Sequence, residues 1–196
     1  MPDQKKTRRQ ILEEFVAKKP DDAFSRYGLA MECMNDSDPS AADGHFRALL
    51  EREARLLDQL DFDAWLSMYS PECIYWVPAT PSGGDPRREI AISFDDRRRV
   101  EDRIYRLRTG YAWSQAPVSR TVRMISNVEV FATAVNAKRM VRSNFLISEF
   151  RPDGIRFLSG WCGHRFAQRN GRWEIEVRQV NLIDCDQNLR NPSIII

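Results

Sequence analysis

The sequence is poor in most of the residues that would let it do chemistry alone. Its 196 residues include two histidines, His45 and His164, four cysteines, and five lysines against 25 arginines. Cys33, Cys73, Cys162 and Cys185 lie far apart and form no CxxC pair. A disulfide framework is therefore not expected, and reduced, buried thiols are. No apolar run approaches the roughly 20 residues needed to cross a bilayer. The opening stretch MPDQKKTRRQILEEF has no apolar block of the signal-peptide kind, so a cytoplasmic location is expected. There is no Walker loop and no GxGxxG.

What is present is a balanced, core-forming composition. Apolar residues make up 42% and charged residues 30%, enough to build one domain with an appendage. The formal net charge is +2. It divides into −4 over residues 1–70 and +6 over the rest, too even for the concentrated basic face of a nucleic-acid binder. The preference for Arg over Lys suits fixed, bidentate contacts at interfaces, because the guanidinium fork is planar and weakly hydrated.

The pattern along the chain predicts helices first and a sheet afterwards. Residues 1–42 read as an N-terminal extension: a helix over 7–18, a second over 23–34, and a linker at 35–40. Asp43 is the expected cap of a helix whose stripe is Phe46, Leu49, Leu50, Glu53/Ala54, Leu57 and Leu60. Asp61 opens a short helix carrying Trp65 and Leu66. A strand is expected over Ile74–Val77, stopped by Pro78. Asp95 and Asp96 precede a helix with Val100, Ile104 and Leu107 on one side and Gly110 at its end. From Arg120 the period becomes 2, with Val122, Met124, Ser126, Val128 and Val130 on one face. Turns at Val135-Asn136-Ala137, Pro152-Asp153-Gly154 and Asn170-Gly171 then separate four long antiparallel strands. The last of these slips by one residue, which predicts a bulge near Arg178-Gln179. The class is α+β.

Few constellations could carry chemistry. Cys162-Gly163-His164 is half of a Rieske motif, but such a cluster needs two Cys and two His. Cys185-Asp186-Gln187-Asn188 supplies no second histidine, and His45 lies far upstream on a helix. A mononuclear iron held by two histidines and a carboxylate would need both imidazoles, and no local spacing supports it. Cys162 and His164 share a strand face, so a thiolate–imidazole pair is conceivable, without any oxyanion-hole signal beside it. Asp61, Asp63, Tyr69 and Tyr75 are candidate acids and bases, and nothing in their spacing selects one.

Several separate blocks, in order, carry a family likeness. They are Ile90–Arg97, Arg103–Gly110 with Ala112-Trp113, Pro117–Arg123 with Ser126-Asn127-Val128, the Arg172-Trp173 hairpin, and Asn181–Asp184 with the apolar tail. Over residues 43–196 the chain resembles the β (small) subunit of bacterial aromatic-ring-hydroxylating dioxygenases. The resemblance implies a cystatin-like (NTF2-like) cone, its N-terminal helices packed in a curved, mainly antiparallel sheet. It implies a structural subunit with no catalytic, cofactor or metal residue of its own. Its partner would be an α subunit holding a Rieske [2Fe–2S] cluster and a mononuclear Fe(II), fed by NAD(P)H through a reductase, in an α3β3 assembly. A stand-alone dehydratase or isomerase with an acid–base pair in the cone is the alternative, and a plain binding module is a third.

On this reading the motif residues Asp95, Arg97, Trp113, Arg120 and Asn127 belong to an interface, where Trp and Arg are favoured. Strand 155–168 is apolar on both faces: Ile155, Phe157 and Trp161 point one way, and Leu158, Cys162 and Phe166 the other. A sheet covered by helices on one side should be polar on its second side. That face, with Trp161, therefore needs cover from the chain's own N-terminal segment or from another subunit, and the tail Ile194, Ile195 and Ile196 needs burial as well. Residues 1–42 carry few apolar groups, which favours another subunit. A homotrimer is the expected form, its three-fold symmetry coming from the resemblance.

Overall fold

The computed structural model describes residues 6–196 except 21, 23–24, 27, 30–31, 34–38, 82–84, 111, 133–137, 170–171 and 188–192. Four helices are described: α1 (Arg8–Lys18), α2 (Pro39–Asp58), α3 (Phe62–Leu66) and α4 (Arg97–Arg108). Six strands follow or interleave them: β1 (Tyr69–Pro78), β2 (Ala91–Asp96), β3 (Arg120–Ala132), β4 (Lys138–Arg151), β5 (Gly154–Arg169) and β6 (Arg172–Leu182). They form one sheet in the order β2-β1-β6-β5-β4-β3. Every pairing is antiparallel except β1 with β6. The architecture is α+β, and no helix among the described residues is long and apolar enough to cross a membrane.

Local chemistry explains the helix starts. Thr7 and Gln10 close a capping box on α1. Asp61 accepts from the Ala64 amide and Asp96 from the Arg99 amide, each satisfying an otherwise orphaned donor. Gly110, at φ 73°, lies just past α4 in the left-handed region that glycine enters without a Cβ penalty. One start differs from expectation. The α2 helix begins at Pro39, not beside Asp43, because proline's fixed φ suits the first helical position and needs no amide partner.

The strands correct the sequence reading in three places. The β1 strand begins five residues before Ile74, since Tyr69 already pairs with Ile175 of β6. The β2 strand was not anticipated, and it pairs Phe94 with Trp76 and Asp95 with Tyr75 along one edge. The third correction concerns faces. Val122 and Met124 were grouped with Val128 and Val130, yet the first two are exposed and Val128 is buried. Asn127, at φ 49°, is the cause. Between Ser126 and Glu129 the β3 strand spends one more residue than β4 does, and the bulge reverses the inward face. Asn enters this conformation more readily than other L-residues because its short amide can bond locally.

A second bulge lies two residues ahead of the expected one. Opposite Arg165 and Phe166 the partner jumps from Val177 to Ile175, so Glu176 is the extra residue. Below it Arg178, Val180 and Leu182 turn inward with Ile175. Nearby Gly160 fixes the β5–β6 approach: an added Cβ would stand 1.9 Å from the Asn181 carbonyl oxygen. A side chain there would clash with backbone.

The main core lies between α2 and the inner sheet face, with Phe46, Leu49, Leu50, Trp65, Tyr75, Ile147, Phe166 and Ile175 nearly inaccessible. Burying each such side chain contributes roughly 1.5–3 kcal/mol. Leu60, expected on the α2 stripe, falls beyond the helix end at φ 58° and is exposed. Ile194, Ile195 and Ile196 also belong to this core. They were assigned to an intersubunit contact, but their own chain meets the need for cover. Tyr75 Oη takes the Ile196 amide at 3.1 Å, and Arg123 Nη2 donates to the Ile195 carbonyl. The N-terminal extension makes a cluster of its own, in which Leu12 and Val16 pack on Leu29 and Cys33. Part of the helix expected over 23–34, the linker residues 35–38, and the turns at 135–137 and 170–171 lie outside the described residues.

Candidate functional site

The inner face of the sheet carries charge where apolar side chains are the rule. Glu53 stands in the apolar stripe of α2 and is 2% exposed, with His164 of β5 at 2% and Arg178 of β6 at 5%. Strand alternation from Cys162 puts His164 inside, and the Glu176 bulge turns Arg178 to the same place. The Glu53 carboxylate gathers four partners. His164 Nε2 lies 3.0 Å from Oε2, Trp65 Nε1 donates to Oε1 at 3.1 Å, Tyr69 Oη donates to Oε1, and Arg178 Nε stands 3.6 Å from Oε1. An ionised carboxylate only accepts, so His164 Nε2 carries the proton of that contact.

The electrostatics of this cluster are internally matched. Burial alone would raise the Glu53 pKa, but the Arg178 charge, the His164 contact and the Tyr69 hydrogen bond hold it well below the usual carboxylate range. Burial would lower Arg178, and the Glu53 charge instead keeps it well above its ordinary value. Nearby, burial lifts the Cys162 thiol to about 11. A thiolate–imidazole pair between Cys162 and His164 is therefore not formed, because the thiol moves away from ionisation and the imidazole faces Glu53. Burial likewise raises the Tyr75 hydroxyl, which bonds the Ile196 backbone.

A second, partly buried pair stands beside the first. The β3 reversal turns Arg123 inward, where its guanidinium meets Asp58 at the end of α2. The Asp58 carboxylate also takes the Arg123 amide at 2.9 Å and the Thr121 hydroxyl at 2.7 Å. Further along, Glu149 of β4 is inaccessible and accepts from Ser119 and Arg156 at 2.5 Å each.

A histidine–carboxylate dyad is the usual equipment of a general base. The space around this one decides otherwise. The cavity bounded by Glu53, His164, Arg178, Cys162 and Ser143 holds about 10 Å³, roughly the room for one water. No organic substrate reaches the dyad. The cluster also does not fit an iron site: the imidazole is engaged by Glu53, and the Cys162 thiol is displaced in the wrong direction for a thiolate ligand. Among the described residues no group of three His, Cys, Asp or Glu side chains is placed to hold a metal ion. None of the four cysteines forms a disulfide, and all four are buried.

The residues singled out from the sequence separate into three groups. Trp113 is 88% exposed, and Arg120 and Asn127 are also on the surface. Arg120 lies 4.4 Å from the Phe150 ring centre, and Trp161, partly covered, lies under Arg142 at 4.6 Å. Asp95 and Arg97 work within the chain. Asp95 pairs with Arg103 at 2.9 Å, and Arg97 Nη1 donates to the Leu66 and Tyr69 carbonyls at 3.0 and 3.1 Å, tying α4 to the start of β1. Ile194, Ile195 and Ile196 are core. The sequence reading missed Glu53 and Arg178 as partners. Their signals were a glutamate inside an apolar stripe and a break in strand alternation. Asp61 is a helix cap, and Asp63 pairs with Arg108 at the surface.

Comparison with known proteins agrees with this geometry. Residues 52–187 match the family model described as ring hydroxylating beta subunit. The 2-halobenzoate 1,2-dioxygenase small subunit of Burkholderia cepacia is 36% identical over 103 residues, 50% of this chain and 61% of that one. The chain spans between half and about three-fifths of the length of the curated relatives it matches first. The beta subunit of a benzoate 1,2-dioxygenase from Burkholderia mallei superposes with a TM-score of 0.57 at 26% identity, covering 71% of this chain and 89% of that one. A cystatin-like, NTF2-like protein from Novosphingobium aromaticivorans, 13% identical with a TM-score of 0.51 over 71% of this chain and 80% of that one, shares the fold.

Proposed function

This chain belongs to the ring hydroxylating beta subunit family, and on that premise we propose that it is the structural, non-catalytic small subunit of a multicomponent aromatic-ring-hydroxylating dioxygenase. In this role it supports the assembly of an α subunit within an oxidoreductase of aromatic-compound catabolism in the cytoplasm. The Rieske [2Fe–2S] cluster and the mononuclear Fe(II) belong to that partner, and electrons come from NAD(P)H through a reductase. The assembly is α3β3, with this chain forming the β trimer.

The observation that carries the reading is the closed space around the buried His164–Glu53 pair. Among the described residues the His164–Glu53 dyad sits in a cavity of about 10 Å³, so a stand-alone dehydratase or isomerase using it would have no room for substrate beside its acid–base pair. The outer sheet face supports the trimer. In register across β3, β4 and β5, Arg120–Phe150–Ile155 and Val122–Ser148–Phe157 form adjoining rows. Val122 is 63% exposed and Phe157 65%. A contiguous apolar strip of this kind marks a protein–protein surface, and closed cyclic symmetry satisfies it.

The test is co-expression with an α chain that carries a complete Rieske motif, followed by ultracentrifugation and iron analysis. The expected result is a hexamer with iron only when the α chain is present, and a colourless, iron-free trimer from this chain alone. Stoichiometric iron in the isolated chain would overturn the reading. A monomer at micromolar concentration would overturn the trimer.

A further inference from the structure

A separate cavity of about 130 Å³ lies between the end of α2, the helices α3 and α4, and the C-terminal tail. Its floor is apolar and buried: Leu57 from α2, Phe62 from α3, and Ile194 and Ile195 from the tail. Its rim is formed by the exposed Leu60 and Val118 together with Arg108, and Leu107 of α4 closes one side. Arg123 and the tail separate it from the Glu53 cluster.

Apart from Arg123 Nε, which has no hydrogen-bond partner among the described residues, the polar side chains on its wall are already engaged. Gln115 Nε2 donates to Ser119 Oγ at 2.9 Å and Ser193 Oγ at 2.6 Å, and its Oε1 accepts from the Ser119 amide at 3.1 Å. Ser119 Oγ donates to Glu149, Thr121 Oγ1 to Asp58, and the Arg123 guanidinium to Asp58 and the Ile195 carbonyl. At the rim Arg108 pairs with Asp63 at 2.8 Å. A polar guest that turned to any other of these side chains would have to break one of their bonds, leaving a buried group unpaired. An apolar guest breaks none. Water gains few partners there, and apolar cavities of about 150 Å³ stay dry and admit benzene or xenon.

We propose that this cavity is a binding site for one small, uncharged apolar molecule of single-ring size. The site is independent of the subunit reading, since none of its walls lies on the exposed outer sheet face. The guest touches α2, α3, α4 and the tail at once, so it clamps the helices and the tail onto the sheet. Binding only the folded chain, it raises the folded chain's thermal stability with the logarithm of ligand concentration above Kd.

The experiment uses the full chain with benzene and xenon as probes. Titration with benzene, followed by methyl-region NMR, is expected to saturate with a Kd on the order of 1 mM, with shifts at Leu57, Leu107, Ile194 and Ile195. Xenon-pressurised crystals should show one atom in the same cavity. Leu107→Phe fills the space from α4 and should weaken benzene at least tenfold while leaving the melting temperature unchanged or higher. Should that variant misfold, Val118→Phe closes the mouth from the rim and serves the same purpose. Absence of saturable shifts, ordered water in place of xenon, or undiminished binding in a folded filled variant would each overturn the proposal.

Discussion

The two faces of one sheet reverse the usual division of labour. The inner face buries Arg178, His164, Glu149 and Ser143, and α2 lays Glu53 against it, while the outer face leaves Val122, Met124, Ile155 and Phe157 exposed. Charge inside is tolerated because the buried carboxylates meet opposite charges, Glu53 with Arg178 and Glu149 with Arg156. Apolar groups outside are tolerated only if something covers them. The difference teaches where selection for folding and selection for assembly act: the inner face is complete within the chain, and the outer face is not.

Breaking the inner face should cost most. Glu53→Ala removes the acceptor of Arg178, His164, Trp65 and Tyr69 together. It should destabilise the fold by about 3–5 kcal/mol in urea melts, the range for stranding a buried charge. Adding Arg178→Met to it should recover much of that loss, and a double variant no better than the single would show that the pair is not coupled. The same group sets the acid limit. Glu53 has a lower pKa folded than unfolded, so its contribution is fully present above the unfolded value of roughly 4.3. It fades as the pH falls toward the folded value. Stability between pH 5 and pH 2 should therefore drop more steeply in the parent chain than in Glu53→Gln, and parallel profiles would contradict the assignment.

Breaking the outer face should leave folding alone and change assembly. Phe157→Asp replaces an exposed ring on β5, and the monomer's stability should move by about 0.5 kcal/mol or less. Sedimentation should shift from trimer to monomer, a loss of about 2 kcal/mol or more per contact if Phe157 is an interface anchor. A smaller effect is expected at Trp113, which belongs to neither face. On the proposed assembly, Trp113→Ala should weaken capture of the α partner roughly tenfold, or about 1.4 kcal/mol, and leave self-association unchanged. Loss of activity in an intact complex would give Trp113 another role.

These contrasts also show what a linear reading can reach. Helices α1, α3 and α4 were legible, as were the acidic starts of α3 and α4, because capping uses neighbours within four residues; the Thr7 cap of α1 was not read. The four-strand meander was legible because turn residues punctuate it. Two faces were not. Val122 and Met124 alternate with Val128 and Val130 in unbroken period, and only the left-handed Asn127 inserts the extra residue that separates them. At β6 the slip was visible, yet its place, Glu176 and not Arg178-Gln179, depends on how β5 pairs. Strand β2 was missed because its six residues gain strand geometry only from β1 beside them.

The sequence alone determined the class, the order of helices before sheet, the thiol state and the family likeness, since each rests on local periodicity, local turn chemistry or short ordered motifs. Only the tertiary structure decided where the charges and the tail go. Glu53, His164 and Arg178 lie up to 125 residues apart along the chain and meet because one bulge turns β6 and one helix stripe crosses the sheet. The tail isoleucines could have been covered by another subunit or by their own core. The space left between α2 and the sheet settled the matter, because closing it within the chain buries that apolar surface without the entropy cost of bringing in a second molecule.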